Sequence, residues 1–168
     1  LQERSEALSF GLDFDCLGAL KGVEVVLREV QVQRTTYATV DEQLDREPFR
    51  TLGQWCHVSR ERRREGGAVF IDLPEVKILY RNGDLTIDLL PGTTSRQLVS
   101  EAMLLAGEAV GRFGLDNGIP LPFATQDPPA EIWHEAEGLA GMCQRRKSLK
   151  RSLIRSVQGP HAGLGLET

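Results

Sequence analysis

Four arginines, Arg60, Arg62, Arg63 and Arg64, crowd into five residues, and a second set of cations recurs between Met142 and Val157. That second run holds Arg145, Arg146, Lys147, Lys150, Arg151 and Arg155, six of the 20 basic residues, with no acid among them. Guanidinium and ammonium groups at this density can neutralise phosphates. The net charge is only −4, so the chain reads as two basic patches on an acidic body. Leu149, Leu153 and Val157 recur every four residues, which predicts a helix with one buried edge and its charges turned outward. The arginine knot has two explanations of equal weight. Cations in the last turn of a helix complement the negative end of its dipole, and they can equally contact a nucleic acid.

Other chemistries find less support. Glu131-Ile-Trp-His134 has the spacing that puts two metal ligands on one helix face, but a di-iron bundle needs two such motifs and two further glutamates. Cys56 and His57 are neighbours, so a helix sends them to different faces and they form no nucleophile–base pair unaided. His161 has no local metal partner, and no Cys or His pair has ligand spacing. No catalytic residue and no metal ligand is assigned within the chain.

The elements that must position these groups are legible in part. Leu8, Phe10, Leu12 and Phe14 alternate with small or polar residues, the period of a half-buried strand. Cys16-Leu-Gly18 turns the chain into a returning strand through Val23, Val25, Leu27, Val30 and Val32, with a bulge expected at Val25-Val26. Thr39-Val-Asp-Glu42 is a capping box for a short helix to about Arg46. A second helix starts near Pro48 and stops at Gly66-Gly67. Ala68–Asp72 and Val76–Arg81 read as strands, and Asn82-Gly83 signals a tight hairpin into Leu85–Leu90. Thr94-Ser-Arg-Gln97 caps the main helix, where Val99, Met103, Ala106, Val110 and Phe113 form an apolar stripe that Leu98, Ala102, Leu105 and Ala109 widen. Such a helix is expected to be the buried spine, so an aspartate at Met103 should unfold the domain. Leu115–Pro129 is a connector with an extended piece near Ile119–Phe123. Asp127-Pro-Pro129 should open a helix through Ile132, Trp133, Ala136, Leu139 and Met142.

The fold class that follows is α+β: antiparallel strands and hairpins packed on a long buried helix. At 168 residues, 40% hydrophobic and 26% charged, the chain has the size and composition of one globular domain. No apolar run approaches a membrane span, and Leu1–Glu6 lacks the pattern of a signal peptide. Cys16, Cys56 and Cys143 are too few and too widely spaced for a disulfide framework. The expected setting is a bacterial cytoplasm or an organelle stroma or matrix. The chain does not open on Met, which reads as a piece of a longer protein.

Arg64-Glu-Gly-Gly67-Ala68-Val-Phe70-Ile-Asp-Leu-Pro74-Glu75, followed by Leu98-Val-Ser-Glu101-Ala-Met103-Leu-Leu105-Ala106, resembles the middle of the RNB domain. That is the catalytic domain of the ribonuclease II and ribonuclease R exoribonucleases. Ser9-Phe10 and Thr36-Tyr37 fall where the family has such pairs. Pro160-His161-Ala-Gly163-Leu164 is similar to a family segment that runs into a Thr-Ser-Pro-Ile-Arg-Arg-Tyr motif. The chain departs from the pattern at Ser100, at Gly107 and in Leu121–Gln126, where family members carry a glutamate, an asparagine, and an arginine with a histidine.

The resemblance implies a 3′-to-5′ exoribonuclease that hydrolyses single-stranded RNA to nucleoside monophosphates with Mg²⁺. It also implies that residues 1–168 form a partial RNB domain, without the N-terminal Asp-rich motif that holds the metal or the C-terminal arginine motif. Asp13 and Asp15 do not reproduce the Asp-rich motif, so the Mg²⁺ ligands are expected outside this chain. Phe70 corresponds to an aromatic that stacks on a terminal base, and Glu101 to a position near the last nucleotides; an ordinary core ring and an exposed acid are the respective alternatives. With Arg145, Arg146, Lys147, Lys150 and Arg151 they form the expected RNA-binding set. The other functional reading is a non-catalytic RNA-binding or scaffold relative that keeps the fold.

Overall fold

A computed structural model of the chain describes residues 4–15, 18–90, 92–130 and 138–166. Strand β1 (Arg4–Phe14) pairs antiparallel with β2 (Leu20–Gln31), from Arg4 opposite Gln31 to Phe14 opposite Leu20. The register shift falls between Asp13 and Phe14, next to the turn, and not at Val25-Val26. Phe14 stacks on Trp55 with ring centroids 5.0 Å apart, which ties the hairpin end to α2 (Phe49–Glu65).

Helix α1 (Tyr37–Asp41) begins earlier than its capping box implies. Thr36 is the N-cap, and its Oγ1 accepts from the Thr39 amide at 3.2 Å. Helix α2 ends at Gly66, as its Gly-Gly stop requires. The start of α3 (Thr94–Asp116) is also secured differently from expectation, because its N-cap Thr93 makes no side-chain cap bond. Asp41 supplies the missing acceptor across space. Its Oδ1 takes the Ser95 amide at 2.9 Å and its Oδ2 takes the Ser95 hydroxyl at 3.0 Å. The Ser95 amide bond, ahead of the hydroxyl, holds the Asp41 carboxyl below its usual range. A carboxylate from another helix thus does the work of a local cap.

Two-stranded antiparallel pairs recur. β3 (Glu75–Arg81) and β4 (Asp84–Leu90) turn through Asn82 and Gly83, whose φ values of 53° and 92° are those a tight primed turn demands. Ala68–Asp72 is not a strand; it runs irregularly along the end of α2. β5 (Phe123–Thr125) pairs with β6 (Leu153–Arg155), and α4 (Gly138–Ser148) lies between them in sequence. The basic run is therefore not one helix. It is the end of α4, a turn, and a strand, and Leu153 and Val157 are exposed. The β5 hydrogen bonds capture Leu153–Arg155, and local helical spacing loses to that pairing. The expected helix through Ile132, Trp133 and Ala136, the Glu131–His134 pair, Cys16 and Pro91 lie outside the described residues.

Helix α3 is the spine, touching α1, α2, β1 and β2, but on a different face from the expected stripe. Leu98, Glu101, Leu105 and Ala109 are buried, whereas Val99, Val110 and, at 70% exposure, Met103 face out. A helix apolar around most of its circumference does not declare which side is covered. Here the side was chosen by Glu101, whose partners come from α2. Val99 and Met103 instead line an open apolar groove of about 750 Å³ with Tyr37, Val40, Phe49 and Leu52. Among the described residues, no helix is long and apolar enough to cross a membrane.

The exposure pattern sets an expected outcome. Met103→Asp should melt within a few degrees of the parent, while Leu105→Asp, which places an unpaired charge on the buried face of α3, should lose several kcal/mol and its cooperative transition. Thermal melts of the two variants, followed by far-UV circular dichroism, check this.

Candidate RNA-contacting surface

The last turns of α2 place Arg60 and Arg63 one helical turn apart, facing Glu101 on α3. Arg63 Nη2 donates to Glu101 Oε1 at 2.5 Å, and Arg60 Nη1 approaches the same oxygen at 3.4 Å. Both members of the Arg63–Glu101 pair are 3% exposed. Two turns further along α3, Glu108 accepts Arg62 Nη2 with both oxygens, at 2.8 and 2.6 Å. Arg64 pairs with Glu61 on its own helix. All four arginines of the knot thus have carboxylate partners.

Phe70 lies beneath this cluster. The Arg60 guanidinium sits 4.0 Å above its ring centroid, with Arg64 and Arg63 at 5.3 and 5.5 Å. The ring is half-buried in an irregular segment, not on a strand. Glu101 is no exposed edge acid either: it is the buried anion to which the knot is tied. A partial signal was present in the sequence, because Glu101 and Glu108 are seven apart and so share one face of an apolar helix.

The C-terminal segment closes over the same end of α2. Arg63 Nη1 donates to the Leu164 carbonyl at 3.2 Å, Ala68 N to Arg63 O at 2.9 Å, and Val69 N to Gly163 O at 3.1 Å. Gly165 has φ 65°, and a Cβ there would collide with Arg63 O, so only glycine fits this crossing. His161 is in this segment, its Nδ1 buried without a hydrogen-bond partner among the described residues. Burial pushes its imidazole below the ordinary histidine range. Burial, reinforced by the Glu101 carboxylate, pushes the Cys56 thiol up, and its Sγ lies 3.7 Å from Leu98 O. A protonated, enclosed thiol is a poor nucleophile.

The basic run is differently placed. Arg145, Arg146 and Lys147 occupy the last turn of α4, Lys150 and Arg151 follow in the turn, and Arg155 is on β6. Arg145 is half-buried and engaged. Arg146, Lys147, Lys150, Arg151 and Arg155 are exposed, and among the described residues they have no acidic partner. The structure therefore separates neutralised cations at the end of α2 from free ones between α4 and β6. Among the described residues no three of His, Cys, Asp and Glu converge to hold a metal ion; these residues do not fit a Mg²⁺ site.

The RNB domain sequence model matches residues 2–158, and the chain belongs to that family. An uncharacterized ribonuclease of Synechocystis sp. is 35% identical over 178 residues, covering 98% of this chain and 27% of the relative. The fold is similar to that of Mycoplasma genitalium RNase R in complex with ribose-methylated single-stranded RNA, at TM-score 0.75 and 14% identity over 97% of this chain and 33% of that one. It is also similar to an active-site mutant of the Dss1 exoribonuclease from Candida glabrata, at TM-score 0.72 and 18% identity over 98% of this chain and 25% of that one. The chain spans about a quarter of the length of its ribonuclease relative.

Two outcomes test the geometry. Glu101→Gln leaves Arg63 buried without a counter-charge and should cost about 3–5 kcal/mol in denaturant unfolding. The depressed His161 pKa makes a stability contribution that is present above the unfolded value, about 6.5, and lost as pH falls through the lower folded one. His161→Asn should accordingly flatten the decline of melting temperature between about pH 7 and 5.

Proposed function

We propose that this chain is the middle of the catalytic domain of a hydrolytic 3′-to-5′ exoribonuclease acting on single-stranded RNA and releasing nucleoside monophosphates. Family membership and likeness to a ribonuclease of the same family support the reaction class. The observation that carries the RNA-binding part is the set of free cations, Arg146, Lys147, Lys150 and Arg151, on a turn anchored at both ends. Arg145 flanks them on the same helical turn. They neutralise successive backbone phosphates, which gives affinity without sequence preference. Phe70, beneath Arg60 at the end of α2, offers an aromatic edge at the other cluster, and Glu101 acts through the arginines it holds.

Hydrolysis is Mg²⁺-dependent in this reading, with the metal's ligands expected outside this chain; a bound ion would supply an activated water and charge compensation at the scissile phosphate. The free thiols of Cys56 and Cys143 suit a reducing bacterial cytoplasm or an organelle stroma or matrix.

The full-length protein, freed of contaminating nucleases and given 5′-labelled oligo(A) with Mg²⁺, should produce a ladder shortening from the 3′ end and nucleoside monophosphates. EDTA should stop it. Residues 1–168 alone should give no ladder. Full-length protein that binds oligo(A) and leaves it intact would establish the scaffold alternative. Each phosphate contact on a single strand contributes about 0.7 to the slope of log affinity against log salt. Arg146→Glu with Lys150→Glu should therefore flatten that slope by about 1.4, and Arg64→Glu, already paired with Glu61, by much less.

A further inference from the structure

Gln126 is a polar side chain only 8% exposed, and it joins three segments that are distant in sequence. Its Nε2 donates to the Lys150 carbonyl at 2.5 Å, while its Oε1 accepts the Gly163 amide at 2.7 Å. Its own backbone donates to Pro160 O at 2.8 Å and accepts from Ala162 N at 2.9 Å. A Cβ on Gly163 would strike Gln126 Oε1, so the approach is as close as glycine permits. Gly163 O in turn receives the Val69 amide. The neighbouring Thr125–Ser152 bond, at 3.3 Å, fixes the start of β6 but not the turn before it.

We propose that Gln126 is a positioning residue for RNA binding: its amide sets where the Lys150–Arg151 turn stands relative to the Pro160–Leu166 segment. The inference rests on the function proposed above. Only a side chain that donates and accepts at once serves both contacts. A carboxylate keeps the Gly163 bond, but it faces the Lys150 carbonyl with an oxygen where a donor is required. The turn then leaves its place, and the two cations after α4 no longer match the phosphate spacing that Arg146 and Lys147 begin. Gln126 touches no substrate in this arrangement. Its influence passes through backbone atoms, so deleting the Lys150 and Arg151 side chains removes what it positions.

The test is a cycle in the full-length protein with oligo(A): parent, Gln126→Glu, the Lys150→Ala/Arg151→Ala pair, and the triple variant. Gln126→Glu is expected to raise KM about tenfold, the scale of one lost buried hydrogen bond, with kcat reduced less and the salt slope flattened. In the Lys150→Ala/Arg151→Ala background its effect should fall below about twofold. Gly163→Ala, which pushes on the same amide from the other side, should reproduce the KM and slope changes and stands in if Gln126→Glu does not fold. Ser152→Ala, which loosens β5 and β6 alone, should leave the slope where it was. Equal effects of Gln126→Glu in both backgrounds, or a lower melting temperature with unchanged KM and slope, would overturn the proposal. Failure of the unmodified protein to bind oligo(A) would instead overturn the function on which it rests.

Discussion

The Arg63–Glu101 ion pair is nearly closed to water, and the rest of the molecule is arranged around it. Two charges cannot leave solvent without compensation, and each becomes a large penalty if its partner is withdrawn. The pair therefore constrains more than it stabilises. It fixes the rotation of α2 and α3 about their axes, since any other face would bury one charge alone. Arg62 and Glu108, two turns along α3, set the register along the contact. A second guanidinium nitrogen of Arg63, Nη1, donates to the Leu164 carbonyl, so the C-terminal segment closes on the same anchor. Phe70 fills the space beneath and receives the flat face of Arg60.

This arrangement divides the positive charge into two kinds. The arginines at the end of α2 are matched by Glu61, Glu101 and Glu108, and their field is largely cancelled at a distance. Those after α4 are exposed and, among the described residues, have no acidic partner, so they shape the potential that a polyanion meets on that side. Adjacent charges of the same sign cost energy unless a backbone holds them apart, and the β5–β6 pairing with the Gln126 amide supplies that restraint.

Much of the architecture was legible from local signals. The Gly66-Gly67 stop, the Asn82-Gly83 turn, the Phe10–Phe14 alternation and the family motifs depend on residues close in sequence, and they appear as read. Some departures are local, such as the α1 cap at Thr36 and the register shift beside the β1–β2 turn, but the larger ones involve partners far apart in the chain. Asp41 caps α3 from another helix. Leu153–Arg155 joins a strand because β5 offers free edge groups, whatever helical period Leu149, Leu153 and Val157 suggest. Hydrophobicity alone ranks Met103 above Glu101 for the core; the reverse holds because a paired charge can be buried and an apolar side chain can face a groove. The cations were recognisable as a cluster, but which of them were already neutralised was decided by tertiary pairing. Gln126, an unremarkable residue in a Pro-rich connector, had no local signal.

The β3–β4 hairpin has a consequence of a different kind. Val76, Ile78 and Tyr80 stand opposite Leu89, Ile87 and Leu85 along one side of the ribbon, and all six are 48% to 73% exposed. The strands pack chiefly on each other, so their hydrogen bonds draw little support from the α2–α3 core. Amides of this ribbon should exchange with deuterated solvent through small local openings, on a much shorter timescale than those of α3, which await global unfolding. The molecule should thus behave as two cooperative units of unequal lifetime within one chain: a slow one built around a buried charge, and a fast one whose oily face already stands open to solvent.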